Sequence, residues 1–315
     1  MFLTKVLKKQ LDIIMNKVKK KQPLVSIIMN CRDGENFLHR SISSVINQTY
    51  SNWELIFWDN LSKDKSKNIL FSFRDNRIKY FKAQKLTTLY QARNLAVKKS
   101  KGKFISFLDV DDWWSPYKLE KQLRLFSNKN VGLVYSKYYK VFEKFKIKNL
   151  NKLGNLPTGK ITQQILDIYE VGVITLLIRR SFFKKINFDK KFNIIGDFDF
   201  VIRLSQKTIF DAVQEPLAYY RLHNNNLSQS NLENGLIKEL KNWLEIQKRK
   251  KIIKKFSLKK FEEMIAYLNI KNDLIEGKKR KAFKLLKKQT LSKKKIKYII
   301  ALSLPTFILK SLLIF

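Results

Sequence analysis

From Leu24 onward the chain alternates short apolar runs with longer amphipathic ones. Residues 24–29 are apolar and rich in β-branched side chains; a polar turn through Asp33-Gly34-Glu35 and a helical stretch to about Asn47 follow. Residues 53–58 predict a second strand, 67–73 a helix, 78–81 a third strand, 89–99 a helix and 103–108 a fourth strand. Strands interleaved with helices at this spacing predict βαβ units and a mostly parallel, Rossmann-like sheet flanked by helices. Ligands of such sheets sit beyond the carboxyl ends of the strands, which here means after Met29, Trp58 and Leu108.

The second half is less regular. Strands are expected near 131–135, 172–178 and 212–220, with a helix beginning at Asp197. After about Asn231 the pattern becomes helical and lysine-rich. The reading therefore divides the chain into 1–22, a basic amphipathic helix; 23–230, an α/β domain; and 231–315, a helical basic extension with an apolar tail. Leu3, Leu7, Leu11, Ile14 and Val18 recur at helical spacing among lysines, up to Pro23. The tail, 298–315, is near the length of a membrane span but is interrupted by Pro305 and Lys310, and reads as membrane-dipping. Lys293, Lys294, Lys295 and Lys297 precede its apolar part and would meet anionic headgroups.

Composition narrows the classes. The 315 residues carry 65 Lys+Arg against 26 Asp+Glu, a formal charge of +39, which predicts attraction to a polyanion without choosing among nucleic acid, membrane and phosphorylated substrate. A compositional bias of the source accounts for the same count. Cys31 is the single cysteine, so neither an intrachain disulfide nor a Cys-rich zinc site is possible, and a reducing compartment fits best. The first residues do not read as a secretory signal, and a cytoplasmic location is expected.

The three expected strand ends carry polar residues: Asn30, Arg32 and Asp33; Asp59 and Asn60; Asp109, Asp111 and Asp112. Clustered carboxylates closing a buried strand need a compensating cation. Mg²⁺ or Mn²⁺ suits them, because these ions take oxygen ligands and keep positions open for phosphates. A lone Asp-x-Asp is a weak signal, since aspartates also cap helices.

Several segments in order resemble the family 2 glycosyltransferases, inverting enzymes of the GT-A fold: Val25-Ser26-Ile27-Ile28-Met29-Asn30, Ser44-Val45-Ile46-Asn47-Gln48-Thr49-Tyr50, Trp53 to Asn60, Ala92-Arg93-Asn94 and Phe107-Leu108-Asp109-Val110-Asp111-Asp112. The resemblance is densest over residues 24–125. It implies a nucleotide-sugar donor, a divalent metal and inversion at the anomeric carbon. By the same resemblance Asp109 and Asp111 hold metal and diphosphate, Asp59 and Asn60 face the base, and Asn30, Arg32, Arg93 and Asn94 lie near the donor. Asp197, in Gly196-Asp197-Phe198-Asp199, takes the place of the general base, and His223, in Tyr220-Arg221-Leu222-His223, approaches the donor.

Three positions depart from the family pattern. Asn60 stands where a second aspartate is common, Arg32 where a tyrosine is usual, and Gly196 where an acidic residue is more frequent. The expected acceptor is a glycan or lipid-linked sugar, reached from the inner face of the plasma membrane by peripheral contact, and no nucleic acid partner is expected. Two alternatives stay open at this point: a basic nucleic-acid-binding protein, and an inactive relative acting as a scaffold.

Overall fold

The computed structural model describes residues 22–223, 226, 232–250, 255–306, 308 and 309. The first half runs β1 (Val25–Cys31), α1 (Leu38–Ile46), β2 (Trp53–Asp59), α2 (Ser66–Ser72), β3 (Ile78–Lys82), α3 (Leu89–Lys99) and β4 (Phe104–Phe107). The second continues with β5 (Trp113–Trp114), α4 (Lys118–Leu125), β6 (Val131–Phe142), β7 (Ile147–Leu150), α5 (Thr162–Asp167), β8 (Leu177–Arg179), α6 (Arg180–Lys185), α7 (Gly196–Ser205) and β9 (Ile209–Arg221). Among the described residues a π-helical turn (Leu232–Ile237) and the α-helices α8 (Lys238–Lys250), α9 (Lys259–Ile275), α10 (Lys279–Lys287) and α11 (Lys293–Ser303) follow.

The strands form one sheet in the order β3-β2-β1-β4-β8-β6-β9-β5, with β7 paired to β6. β1 lies between β2 and β4, all parallel, so the carboxyl ends of these strands fall side by side. Alternation along each strand feeds two cores. Ile27 and Met29 of β1 and Leu55 and Phe57 of β2 point to one face, where α1, α2 and α4 contribute Ile42, Leu70 and Leu119. Ile28, Ile56 and Trp58 point to the other, toward α3, α5, α7, α8 and α9. The expected α/β architecture is the observed one.

Two stretches differ from the sequence expectation. Residues 172–178 are not a continuous strand: the Gly172 carbonyl accepts from the backbone N–H and the hydroxyl of Thr175, at 2.9 and 2.7 Å, closing a turn before β8. β6 extends well past Tyr135 because β9 pairs with it from Val131 through Val141, which carries Tyr138 and Lys140 toward the carboxyl edge.

Side-chain contacts cross the expected boundary at 230/231. Trp243 of α8 and Phe261 of α9 pack on Phe198 of α7, the two phenylalanine rings stacking at 5.2 Å. The Trp243 indole donates to Asp199 at 3.1 Å. The last helices form their own cluster, in which Tyr298, Ala301 and Leu309 bury against Tyr267, Ile270 and Leu286. The expected membrane-dipping tail is thus packed along one face in its described part. No helix among the described residues is long and apolar enough to cross a membrane. Residues 1–21 of the predicted amino-terminal helix over 1–22, and residues 224, 225, 227–231, 307 and 310–315, lie outside the described residues.

Because the Trp243 ring is 1% exposed and wedged between two phenylalanines, Trp243→Ala should lower the unfolding free energy by about 3–5 kcal/mol. Urea denaturation measures this. A loss under about 1 kcal/mol would mean that the carboxyl-terminal helices are an independent unit after all.

Candidate active site

The adjacent ends of β1, β2 and β4 are tied together by backbone hydrogen bonds: Asn60 N–H to the Cys31 carbonyl at 2.8 Å, and Leu108 N–H to the Ile28 carbonyl at 3.0 Å. Two cavities open above them. One, of about 480 Å³, is lined by Asn30, Arg32, Arg93, Asp109, Asp111 and Asp197 among others. The second, of about 670 Å³, shares Asn30, Arg32, Leu89 and Asn193 with the first and adds Asn60 and Thr87. Six of the residues singled out from sequence therefore meet in one cavity, and Asn60 lines its neighbour.

Asp59, Asn94 and His223 line neither. Asp59 accepts from the Ser62 N–H at 2.7 Å and the Tyr80 hydroxyl at 2.8 Å, so both its oxygens shape the turn after β2. Asn94 exchanges hydrogen bonds with the backbone of Phe188, donating at 2.8 Å and accepting at 3.2 Å, and so anchors α3 to that segment. Asn60 donates to the Thr87 carbonyl at 2.9 Å while its oxygen accepts from the Thr87 N–H and hydroxyl. A carboxylate at this position could accept but not donate, which gives a physical reason for the departure from aspartate.

The three aspartates after β4 meet different surroundings. Asp109 accepts from Arg93 of α3 at 2.5 Å, and that guanidinium is 2% exposed. Burial alone would lower the Arg93 pKa, but Asp109, with Tyr90 and Asp197 behind it, raises it above the ordinary arginine value. Asp111 faces the cavity and lies 3.0 Å from Nε2 of His223, whose ring stacks on Phe37. Asp112 is 1% exposed. One of its oxygens accepts from the Arg221 N–H at 2.8 Å and the other is buried without a partner. Burial first, then the charges of Asp111 and Asp109, push its pKa well above the usual carboxylate range.

Arg221, not singled out from sequence as a site residue, fixes this turn. Its Nε donates to the Asp111 carbonyl at 2.7 Å, its guanidinium pairs with Glu143, and it lies over the rings of Phe37 and Trp113.

Among the described residues no group of three or more His, Cys, Asp and Glu is arranged to hold a metal. Arg93 engages one oxygen of Asp109, and Asp111 and His223, 3.0 Å apart, are the neighbouring side chains that could share an ion. That set fits a divalent cation bound through one or two protein ligands and completed by substrate phosphates, not a closed protein cage. The partnerless buried oxygen of Asp112 and the crowding of three carboxylates are features such a cation would relieve.

Asp197 stands in the first turn of α7 and faces the same cavity. It is not the helix cap: the cap position is Ile195, with no side-chain cap hydrogen bond. The backbone N–H groups of Asn193, Ile194 and Ile195 instead donate to Glu239 of α8 at 2.8–3.0 Å. The Asp197 carboxyl accepts from the Tyr90 hydroxyl at 2.9 Å and from the Tyr169 hydroxyl at 3.4 Å. Burial raises its pKa, with Arg93 and the Tyr90 hydrogen bond opposing.

With this geometry in place, the relationship is direct: residues 26–211 match the family described as Glycosyl transferase family 2. The chain belongs to that family. Among similar proteins, the Escherichia coli UDP-Glc:α-D-GlcNAc-diphosphoundecaprenol β-1,3-glucosyltransferase WfgD is 35% identical over 168 residues, covering 52% of this chain and 64% of that protein. An uncharacterized glycosyltransferase of Rickettsia typhi is 30% identical over 275 residues, covering 81% of this chain and 82% of the relative. In three dimensions, S. aureus TarS (residues 1–349, in complex with UDP) superimposes with a TM-score of 0.52 at 17% identity, covering 64% of this chain and 61% of that one. This likeness is one of fold, and the fold of this family 2 chain is GT-A.

The raised pKa of Asp197 has a stability consequence. A carboxyl whose folded pKa exceeds its unfolded value weakens the folded state as pH rises through that window, because folding must keep the buried group charged. Asp197→Asn should therefore raise the melting temperature near neutral pH, and the gain should vanish below about pH 4, where the unfolded aspartate is also protonated. Thermal melts across this range check it; a lower melting temperature at neutral pH would contradict it.

Proposed function

We propose that this chain is an inverting glycosyltransferase moving a sugar from a nucleoside-diphosphate donor to a hydroxyl of a lipid-linked glycan. The observation that carries the reading is one cavity holding Asp109 and Asp111 at the end of β4 and, facing the same space, Asp197 on a different element, gripped by two tyrosines. The names of the relatives support the substrate class: the E. coli protein's name pairs a UDP-glucose donor with a diphosphoundecaprenol-linked acceptor.

In this reading the nucleoside occupies the cavity beside Asn60 and Thr87, and the diphosphate lies between Arg32 and Asp111. Asp111 and His223 would hold a Mg²⁺ or Mn²⁺ ion, which when bound supplies Lewis-acid stabilisation of the departing diphosphate. Arg93 neutralises Asp109, leaving that side of the cavity less repulsive to phosphate. The acceptor enters along Tyr138, Tyr169 and Glu170. Its hydroxyl proton passes to Asp197 as its oxygen bonds to the anomeric carbon. The bond from that carbon to the diphosphate oxygen breaks, its electron pair leaves with the nucleoside diphosphate, and the configuration inverts. A base with a pKa raised by burial keeps enough basicity to take the proton near neutral pH.

We also place the enzyme at an anionic membrane surface, through α11. Its inner face carries Tyr298 and Ala301 into the helical cluster, while Ile296, Ile299 and Ile300 are 48, 48 and 59% exposed on the opposite face, beside exposed Lys293 and Lys297. An apolar stripe flanked by lysines suits the headgroup boundary of anionic lipids.

Asp197→Asn should abolish transfer from UDP-glucose to a synthetic GlcNAc-diphospho-lipid, a loss of at least about 10²-fold, while donor affinity measured calorimetrically with Mn²⁺ stays within about twofold. Full turnover in the variant would remove Asp197 from its role. For the membrane surface, Ile296→Asp with Ile300→Asp should release the protein from phosphatidylglycerol vesicles in a flotation assay without lowering its melting temperature. Retention equal to the unaltered chain would refute that surface.

A further inference from the structure

The departure at Gly196 has a steric cause that lies far away in the sequence. Gly196 is not in the left-handed region, so its backbone does not demand glycine. A Cβ there would lie 2.4–2.6 Å from three carbons of the Tyr90 ring. The ring cannot retreat easily: Tyr90 is 3% exposed, it packs against Phe188 at 5.1 Å, and the Arg93 guanidinium sits 5.1 Å from its centroid. Its hydroxyl is held as well, 2.9 Å from the Ile194 carbonyl and 2.9 Å from the Asp197 carboxyl.

We propose that Tyr90 is the positioning residue for the Asp197 base, and that Gly196 is a glycine in order to admit the Tyr90 ring. The inference rests on the reading of Asp197 as the base. The Asp197 carboxyl is thereby supported from α3.

The hydroxyl suits that task because it has one proton and two acceptors at equal distance. While Asp197 is charged, the proton points to its oxygen. When that oxygen carries a proton, the carboxyl donates to the Tyr90 oxygen and the tyrosine proton turns to the Ile194 carbonyl. The carboxyl stays tethered in both states, and neither leaves it without a hydrogen bond. The carbonyl itself is held in place, since the Ile194 and Ile195 N–H groups are pinned by Glu239.

The groups facing Asp197 are Tyr90 and Arg93 from α3, Tyr169 from the segment before β8, and Tyr138 from β6. Tyr90→Phe keeps the ring and removes only the hydroxyl. Since that hydroxyl donates to the charged carboxyl, carbon-13 carboxyl spectra of the full chain should show Asp197 titrating at higher pH in Tyr90→Phe. Transfer from UDP-glucose to the GlcNAc-diphospho-lipid should fall roughly 10- to 100-fold in kcat with donor KM unchanged, and its acid limb should move the same way. The steric half is read separately: Gly196→Ala should lower the melting temperature strongly in the Tyr90 chain and much less on a Tyr90→Ala background.

An unshifted Asp197 titration, or equal effects of Gly196→Ala on both backgrounds, would overturn the inference. Should Asp197→Asn keep full turnover while the titration shifts as described, the base reading fails and the contact is purely structural.

Discussion

The site depends on one electrostatic constraint: three aspartates fall within four consecutive positions where a buried strand ends. Like charges this close cannot all remain ionised and uncompensated in a low-dielectric setting. The fold resolves the conflict by giving each a different fate. Asp109 is neutralised by a buried arginine from α3, and Asp112 is sunk beneath the turn, where burial and its two neighbours favour its protonated form. Asp111 is left facing the cavity with a histidine beside it. Arg221, at the end of β9, holds the turn in place through its backbone N–H, its Nε and its pairing with Glu143. The sheet order serves this arrangement, because the long β6–β9 pairing is what brings Arg221 back over the end of β4.

The parts of this design that were legible in the sequence are those carried by local pattern. β1, β2 and β4 feed both cores, so they appear as mostly apolar runs, and the polar residues just past them had to lie at a common edge. Asp109, Asp111, Arg93 and Asp197 were found by that logic together with the family resemblance, and all four line one cavity. What stayed hidden is what depends on contacts between distant segments. In the sequence Tyr90 is one aromatic residue in a predicted helix and Glu239 one acid in a lysine-rich region, with nothing local to mark either. The first supports Asp197 and the second pins the backbone before it. Asp59 and Asn94 carry no pattern that separates a ligand contact from a scaffold contact, and the structure gives both scaffold partners.

The departures from the family pattern come with compensation where the structure accounts for them. Asn60 needs an amide because Thr87 asks it both to donate and to accept. Gly196 needs to be small because an aromatic ring occupies its side-chain space. Arg32 is exposed at the rim shared by both cavities.

The central claim is that Asp111 and its neighbours hold a divalent cation against the diphosphate of a sugar nucleotide. Phosphorus-31 relaxation of UDP in the presence of Mn²⁺ and the protein tests this most directly. The β-phosphorus signal should broaden on the intact chain well beyond what Mn²⁺ alone produces, and Asp111→Asn should remove most of the excess. Equal broadening with and without that carboxylate, or none beyond free Mn²⁺, would contradict the claim.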